Sequence, residues 1–446
     1  MSTASPEPTA NPPLETQKAV GNCFVSNYPP YSFWQRDAVP EIRAALDREP
    51  EPDTPLGIYI HTPFCRKRCH FCYYRVYTDK NASDIETYLD ATLKELRIYA
   101  SKQFVGGRNP SFIYFGGGTP SYLSENQLQH LAAGMKELLP WDDVQEVTFE
   151  CEPGTLTDTK LKTIREVGVT RLSLGVQNFD DHILEANGRA HRFGEIDSAY
   201  AFAREVDFPL INIDIIAGML EETEDNWKDC VARIIKMAPD SVTVYQMEMP
   251  HNTTIYRRMQ EGDKLATPVA NWETKRHWTD YAFNELEAAG YTIGSAYTAV
   301  KDKAKTTFEY RDQLWAGADL LSLGVAAFGH IGGTHYQNHH DFDPYVKCIN
   351  DGELPIYRVL TPSDDERLIR EFILQLKLGS VSLKYFKDKF CIDPTTRFVK
   401  PLKRIEEWGF LTIDDDRIII NREGLLQIDR LLHEFFLPEH RNARYT

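Results

Sequence analysis

The feature that most constrains the fold is a regular alternation of short apolar runs with amphipathic stretches between residues 57 and 290. The runs are GIYIH (57–61), FIYF (112–115), VTFEC (147–151), LSLGV (172–176), INIDII (211–216) and VTVYQM (242–247). This repetition predicts parallel strands that are joined by right-handed crossovers and covered by helices on both faces. It fits an open partial barrel or a doubly wound sheet, with the functional residues at the carboxyl ends of the strands.

Helices are predicted between these strands because apolar residues recur there at helical spacing. The helical stretches are 85–100, 124–139, 157–168, 226–237 and 271–290. Ser124, with Gln127 three residues later, forms a capping-box start, and Gly168 is expected to be a helix C-cap.

The pattern changes after residue 290. Two further strand-containing segments are expected beside the core, and from residue 361 helices and one hairpin predict a winged-helix arrangement. The mixture of acidic and basic residues in this last segment favours a structural role over DNA binding. The predicted divisions are a disordered tail (1–20), an N-terminal segment (21–50), the α/β core (51–290), a flanking segment (291–360) and a winged-helix-like α+β domain (361–446).

The net charge limits the possible binding partners, and the lack of long apolar runs limits where the protein can reside in the cell. The chain has 50 Lys and Arg against 66 Asp and Glu, a formal net charge of −16. Nonspecific binding to nucleic acid needs an excess of basic residues, so no nucleic-acid partner is expected. No apolar run has the length of a membrane helix, and residues 1–20 lack the features of a signal peptide. A cytoplasmic protein without a membrane partner is therefore predicted.

Three of the eight cysteines fall within eight residues, CRKRCHFC (65–72), whereas the others are scattered singly and are expected to be small buried hydrophobes. Cys65, Cys69 and Cys72 offer three thiolates from one short loop. A structural zinc site would need a fourth ligand at matched spacing, and none lies close by in sequence. An iron–sulfur cubane with one open iron fits three thiolates, and zinc or unused thiols are the alternatives.

The segment YIHTPFCRKRCHFC (59–72) resembles the signature of radical S-adenosylmethionine (SAM) enzymes. The similarity is closest to the oxygen-independent coproporphyrinogen III oxidases and their relatives, which include haem chaperones, haem-degrading methyltransferases and cyclopropanases. The resemblance implies an α/β fold: a partial (β/α)6 barrel with an N-terminal extension and a C-terminal winged-helix-like domain. It also implies an enzyme with a 4Fe-4S cluster on the three cysteines and one or two molecules of SAM. The open iron would bind SAM, and one electron would then release a 5′-deoxyadenosyl radical.

The same resemblance implies the partners and site residues. The expected partners are a small-molecule substrate such as a tetrapyrrole and reduced flavodoxin or ferredoxin as electron donor, and the protein is expected to be a monomer. Besides the catalytic cysteines, Tyr59 would lie beside the first SAM, Gly117 of FGGGTP at its methionine end, Glu150 on its ribose and the Phe328 backbone on its adenine. Family positions for a second SAM are Phe71, Gly118, Thr119, Gln177, Arg189 and Asp214.

Asp214 stands among isoleucines on a predicted buried strand, so its carboxylate needs a partner. Arg189 is the expected partner of Asp214. The two side chains would meet either within a SAM site or in a purely structural ion pair. The basic residues Arg66, Lys67, Arg68 and Arg75 are expected to dock an anionic substrate or an acidic donor, unless they are only a solvated loop.

The chain departs from the family pattern at two places. Tyr74 stands where the decarboxylating oxidases carry a fourth cysteine, and FEYRDQLWAG (308–317) does not reproduce the His-Asn-x-x-Tyr-Trp element of the haem chaperones. SNYPPYSF (26–33) resembles the N-terminal segment of the oxidases. Three functions stay open: an oxidase-like enzyme acting on a porphyrinogen or related molecule, a two-SAM methyltransferase or cyclopropanase, and a haem-binding chaperone.

Overall fold

The computed structural model describes residues 21–141, 143–260, 269–441 and 443, so the predicted disordered tail lies outside the described residues. The six predicted strands are confirmed, each within about two residues of its predicted ends. They are β1 (Leu56–Thr62), β2 (Phe112–Gly117), β3 (Glu146–Cys151), β4 (Arg171–Gln177), β5 (Leu210–Ala217) and β6 (Ser241–Gln246). Their side chains are mostly buried, as the continuous apolar runs require.

The order of the strands distinguishes an open partial barrel from a doubly wound sheet, the two architectures that the sequence pattern fits equally well. Each strand from β1 to β6 pairs in parallel with the next one along the chain. A doubly wound sheet would instead reverse its strand order at a switch point. The core is therefore an open partial barrel, and the carboxyl ends of all six strands meet at one end of it.

Helices connect the strands and cover the outside of the barrel. Their bounds are α1 (Val39–Leu46), α2 (Ala82–Ala100), α3 (Glu125–Leu138), α4 (Asp158–Glu166), α5 (Asp181–Ala186), α6 (Phe193–Glu205), α7 (Glu224–Met237), α8 (Thr254–Gln260) and α9 (Trp272–Ala288). The capping box of α3 is confirmed, since the Gln127 backbone N–H donates to Ser124 Oγ and the Ser124 N–H donates to Gln127 Oε1. Gly168 follows α4 with φ +107°, a left-handed conformation that suits glycine.

The segment after residue 290 extends the sheet at both edges. The additional elements are β7 (Thr292–Ile293), β8 (Thr298–Val300), α10 (Glu309–Trp315), β9 (Asp319–Leu323), β10 (Phe328–Ile331), β11 (Thr334–Asn338), α11 (Phe342–Asn350) and β12 (Ile356–Leu360). β9 pairs in parallel with β1, and β10 to β12 continue antiparallel. At the other edge β8 pairs antiparallel with β6. Both edges of the six-stranded core are therefore covered, which protects them from pairing with another chain.

The C-terminal domain has the predicted helices and hairpin with three differences. Its elements are α12 (Asp364–Leu376), β13 (Ser380–Ser382), α13 (Leu383–Phe390), α14 (Pro394–Arg397), α15 (Val399–Glu407), β14 (Leu411–Ile413), β15 (Arg417–Ile420), α16 (Arg422–Leu425) and α17 (Ile428–Leu432). Strand β13 was not predicted, and it pairs with the hairpin strand β15. The single helix predicted over the TTRFVKPLKRIEEWG stretch is broken at Phe398, because Pro401 has no N–H to donate to the Arg397 carbonyl. The last predicted helix is broken at Gln427, whose φ is −133°.

The N-terminal segment is clamped by a buried ion pair in the C-terminal domain. Lys377 Nζ lies 2.7 Å from Asp429 Oδ1, and the two side chains are 0% and 1% exposed. Lys377 Nζ also donates to the Val25 carbonyl at 2.6 Å, and the Val25 N–H donates to Asp429 Oδ1 at 2.8 Å. The pair thus replaces the backbone hydrogen bonds of an extended segment that has no strand partner among the described residues at this point.

The other cysteines follow the sequence expectation only in part. Cys151 and Cys230 are buried, Cys348 is half-buried, and Cys23 and Cys391 are exposed. The prediction of five buried cysteines was therefore wrong for the last three. Across the described ranges, every helix is too short or too polar to span a bilayer.

Candidate functional site

The cysteine loop follows β1 at the carboxyl end of the barrel, and backbone hydrogen bonds fix it. The Cys65 N–H donates to the Tyr77 carbonyl at 3.1 Å, and the Cys72 N–H donates to the Cys69 carbonyl at 3.2 Å. At the middle of the loop the His70 N–H donates to Asn187 O, and the His70 carbonyl accepts from the Ile255 N–H of α8. The loop is therefore held in place by surrounding protein, with its three thiols partly exposed.

Two side chains from elsewhere in the fold donate hydrogen bonds to the sulfur atoms. Thr119 Oγ1 donates to Cys65 Sγ and Arg189 Nη1 donates to Cys69 Sγ, both at 3.3 Å. Burial raises the pKa of the Cys65 thiol to about 12 and that of Cys72 to about 11. Iron ligation at these positions must therefore displace protons, and the two donors would stabilise the thiolates that result.

A closed single-metal site finds no support in the geometry. Within the part of the chain that the structure describes, no group of three or more His, Cys, Asp and Glu side chains converges to hold one ion. The ligands of one zinc ion must meet at a point, whereas three thiolates on a cubane bind three different irons and need not converge. The donor set thus fits a cluster better than zinc.

The glycines of FGGGTP are required by protein packing at the end of β2. A Cβ on Gly117 would lie 2.5 Å from the His61 ring, and the residue has φ +107°. A Cβ on Gly118 would lie 2.7 Å from the Thr62 carbonyl, whose oxygen accepts the Gly118 N–H at 2.8 Å. The glycine run therefore lets β2 pass close to the end of β1, directly before the cysteine loop.

Glu150 is oriented toward the same end of the barrel by two donors. Tyr114 Oη donates to Glu150 Oε1 at 2.6 Å, and the Gly117 N–H donates to Oε2 at 3.2 Å. Burial, with a contribution from the Asp214 charge, raises the pKa of this carboxyl to about 7. Each oxygen keeps a free lone pair for a ligand hydroxyl.

Tyr59 lies in a group of aromatic side chains with Tyr114 and His61. Only Tyr59 was predicted from the sequence to be a site residue. Its ring stacks on Tyr114 at 5.9 Å, and its hydroxyl lies 3.2 Å from His61 Nδ1. His61 is 4% exposed, and its Nε2 has no hydrogen-bond partner within 3.5 Å among the described residues. Sequence reasoning did not single out His61 as a site residue, although its place two residues after Tyr59 puts both side chains on one face of β1.

Arg189 and Asp214 do not pair, so the structural ion-pair interpretation is wrong. Arg189 binds Cys69 and donates to the Gly175 carbonyl at 2.5 Å. Asp214 instead accepts from Ser173 Oγ at 3.0 Å and from Asn212 Nδ2 at 2.8 Å. Neutral donors suffice for Asp214 because burial also raises its pKa.

Gln177 stands at an irregular point of β4. Its φ is +68°, and the register with β5 shifts between Gly175 and Gln177, which turns the side chain out of the regular alternation. Gln177 Oε1 and Arg189 Nε are both buried, and neither has a hydrogen-bond partner in the part of the chain that the structure describes. Buried polar atoms of this kind are costly unless a ligand or water satisfies them, so they mark a binding site for a polar molecule.

Phe71 and Phe328 were also predicted to contact SAM, but their described contacts are with other parts of the protein. Phe71 packs against an apolar cluster that includes Met219, Leu220 and Met247. The Phe328 ring lies 4.3 Å from that of Tyr31, and its carbonyl already accepts from Ser322 Oγ at 2.5 Å. The described contacts tie Phe328 to the N-terminal segment and not to the other candidate residues.

Exposed tyrosines surround the opening of the barrel. Tyr74 is 44% exposed, stacks on Tyr73 at 4.6 Å and lies with its ring centroid 6.5 Å from that of His61. Tyr245 at the end of β6 is 42% exposed. The position at which the sequence comparison expected a fourth cysteine therefore carries an exposed phenol close to His61.

Most of the loop's basic residues are already paired. Arg66 forms a bidentate pair with Glu152 at 3.1 and 2.8 Å, and Arg75 pairs with Asp341 at 2.5 Å. Arg68 donates to the Cys72 carbonyl at 3.2 Å. Of the four residues in the docking hypothesis, only Lys67 extends into solvent without a partner among the described residues.

A family model, two relatives and one solved structure all relate this chain to the same group of proteins. Residues 59–234 match the model of the Radical SAM superfamily. The heme chaperone HemW of Bacillus subtilis is 29% identical over 374 residues, or 82% of this chain and 96% of that protein. The oxygen-independent coproporphyrinogen III oxidase of Pseudomonas aeruginosa is 28% identical over 411 residues, or 88% of each chain. The structure of coproporphyrinogen III oxidase (HemN) from Escherichia coli matches with a TM-score of 0.80 at 23% identity, over 92% of this chain and 96% of that one. The predicted fold class is confirmed.

Proposed function

Since the chain is a radical SAM protein of the HemN and HemW type, we propose that it is an enzyme acting on a tetrapyrrole or a related small molecule. The observation that carries this proposal is the convergence on one loop of three thiols, two side-chain donors to sulfur and several buried, unsatisfied polar atoms.

Cys65, Cys69 and Cys72 would hold a 4Fe-4S cluster, and Thr119 and Arg189 would donate to two of its cysteine sulfurs. A reduced 4Fe-4S cluster held there would supply the one electron that divides SAM into methionine and a 5′-deoxyadenosyl radical. His61 Nε2 and Gln177 Oε1 offer hydrogen-bonding capacity toward the polar ends of SAM. Tyr59 stacks on Tyr114, which donates to Glu150, so the two rings would form an aromatic wall beside that carboxyl.

Glu150 is proposed to bind the ribose hydroxyls of SAM, and this role predicts a pH dependence. A carboxylate accepts from two hydroxyls only when ionised, so with a pKa of about 7 its affinity for SAM should rise several-fold from about pH 6 to about pH 8. Glu150→Gln loses charge-assisted bonds worth about 1.5–3 kcal/mol, so SAM binding should weaken at least about tenfold at the higher pH. Calorimetric titration of the reconstituted protein measures both effects.

The matched control is Glu166→Gln, at an exposed residue of α4. It should keep both the affinity and the pH dependence. A Glu150→Gln variant that still gains affinity as the pH rises would assign the titration to another group and contradict the ribose role.

The substrate is proposed to differ from coproporphyrinogen. Tyr74 occupies the position of the oxidases' fourth cysteine and is exposed beside His61. Product analysis after anaerobic reconstitution tests the proposal, with iron and sulfide counted first and 5′-deoxyadenosine measured next. We expect 5′-deoxyadenosine to form in a cluster-dependent reaction without carbon dioxide release from coproporphyrinogen at family-like rates. A protein that binds one zinc, or forms no 5′-deoxyadenosine with a chemical reductant, would contradict the enzymatic proposal.

A two-SAM methyltransferase or cyclopropanase is the second candidate, because Gln177 and Arg189 keep unsatisfied atoms and the described hydrogen-bond donors to Asp214 are neutral. Transfer of labelled carbon from SAM to product would favour it. The similarity to HemW makes haem binding the third possibility to test, by optical titration. We also propose that the enzyme works as a monomer in the cytoplasm, where reduced thiols persist.

A further inference from the structure

Three exposed cations lie on the cysteine loop and the adjoining helix α8, and they are here called the basic patch: Lys67, Arg257 and Arg258. All three side chains are exposed, and none has an ion-pair partner among the described residues. We propose that the basic patch is the docking surface for an acidic one-electron donor protein. This inference rests on the proposed function, since only a cluster in this loop would need such a donor.

Hydrogen bonds join the two segments that form the patch. The Ile255 N–H of α8 donates to the His70 carbonyl at 3.1 Å, and Asn252 Nδ2 donates to the Tyr73 carbonyl at 3.0 Å. Arg258 follows Ile255 by about one helical turn, and Lys67 precedes His70 by three residues. These two hydrogen bonds hold α8 against the cysteine loop, so Lys67 and Arg258 lie in one neighbourhood.

Three acidic groups near the loop take part in ion pairs. Arg66 lies 2.8 Å from Glu152 and 3.9 Å from Glu195 in two ion pairs, and Arg192 lies 3.1 Å from Glu185. The charged side chains of residues 65–72 and of α8 are all basic, in a chain whose net charge is −16. An acidic protein is repelled by the chain as a whole and attracted here, which selects the orientation in which it docks.

The position of the patch suits electron delivery. Lys67 lies between Cys65 and Cys69, so a protein that covers it approaches the cluster ligands from outside the barrel. Met259, 45% exposed on α8, adds an adaptable apolar contact beside the charges. One electron would pass from the donor, oxidised by one electron, to the cluster, with no transfer of atoms. The barrel opening near Tyr74 and Tyr245 is left to the small substrate.

Charge reversal tests the proposal. The variant Lys67→Glu/Arg258→Glu should bind a bacterial flavodoxin at least about tenfold more weakly than the wild type at low salt, measured by calorimetry on the reconstituted protein. Its affinity should also depend less on salt. The control Lys303→Glu/Lys400→Glu changes the net charge equally at exposed residues elsewhere and should stay within about twofold. The variant Arg257→Glu/Arg258→Glu repeats the test without altering the cysteine loop.

The rate of cluster reduction supplies a second readout. Reduction by flavodoxin should slow in the patch variants, whereas reduction by reduced methyl viologen, a small cation, should not. Unchanged flavodoxin affinity, or an equal loss in the control, would overturn the docking surface. Slower reduction by both reductants would place the effect on the cluster and overturn it too. Failure of SAM cleavage with methyl viologen would contradict the proposed function separately, while the flavodoxin affinities still decide the docking.

Discussion

Replacing Cys69 with alanine is expected to reduce the iron bound after anaerobic reconstitution at least about tenfold, because one of three ligands from a single loop is lost and no other described thiol is positioned to replace it. The fold should survive. Cys69 is only partly buried, and the core consists of strands and helices that pack without it. A change in unfolding free energy within about 1 kcal/mol is expected, since no cavity is created in the core.

Iron analysis together with circular dichroism and thermal melting checks both parts of this prediction. Cys391→Ala is the matched control, because Cys391 is exposed and stands at the end of α13, and it should leave bound iron unchanged. Retained iron in Cys69→Ala would remove the cluster assignment. Global unfolding of that variant would show that the loop supports the fold, contrary to the packing described above.

Of the variants proposed here, Lys377→Met should lower the free energy of unfolding most, by about 3–5 kcal/mol. It removes the cation that faces Asp429 and leaves a carboxylate almost fully buried. It also removes the donor to the Val25 carbonyl, so the N-terminal segment loses one of its anchors. Urea unfolding followed by fluorescence gives the free energy, and limited proteolysis reports release of the segment.

Lys384→Met supplies the comparison for this second prediction. Lys384 pairs with Asp388 on the exposed side of α13, and loss of such a pair should cost less than about 1 kcal/mol. The double variant Lys377→Met/Asp429→Asn should recover part of the loss, because a neutral amide still accepts from the Val25 N–H. Equal destabilisation by the buried and exposed changes would refute the anchoring role.

The strands of the barrel could be predicted because their runs are continuously apolar and bounded by polar residues. The choice of a barrel over a doubly wound sheet could not, since strand order depends on where each crossover returns. The break at Phe398 was readable in principle from Pro401. The break at Gln427 had no comparable signal in the sequence, because neither proline nor glycine marks it.

In the candidate site, the cysteine ligands could be predicted from the sequence, but the contacts between distant segments could not. The spacing of Cys65, Cys69 and Cys72 indicated the cluster, because ligands from one loop are adjacent in sequence. The hydrogen bond from Arg189 to Cys69 joins distant segments, and no sequence pattern distinguishes it from the pairing with Asp214 that we expected. The unsatisfied His61 Nε2 likewise depends on what surrounds the ring in three dimensions.

The pairing of β9 with β1 has a consequence for biosynthesis. A ribosome completes β1 and the cysteine loop long before residues 319–323 leave the exit tunnel, so one side of the first strand emerges without its neighbour. During that interval its free N–H and C=O groups can pair with other nascent chains. We expect chaperone dependence to end once this distant strand is made.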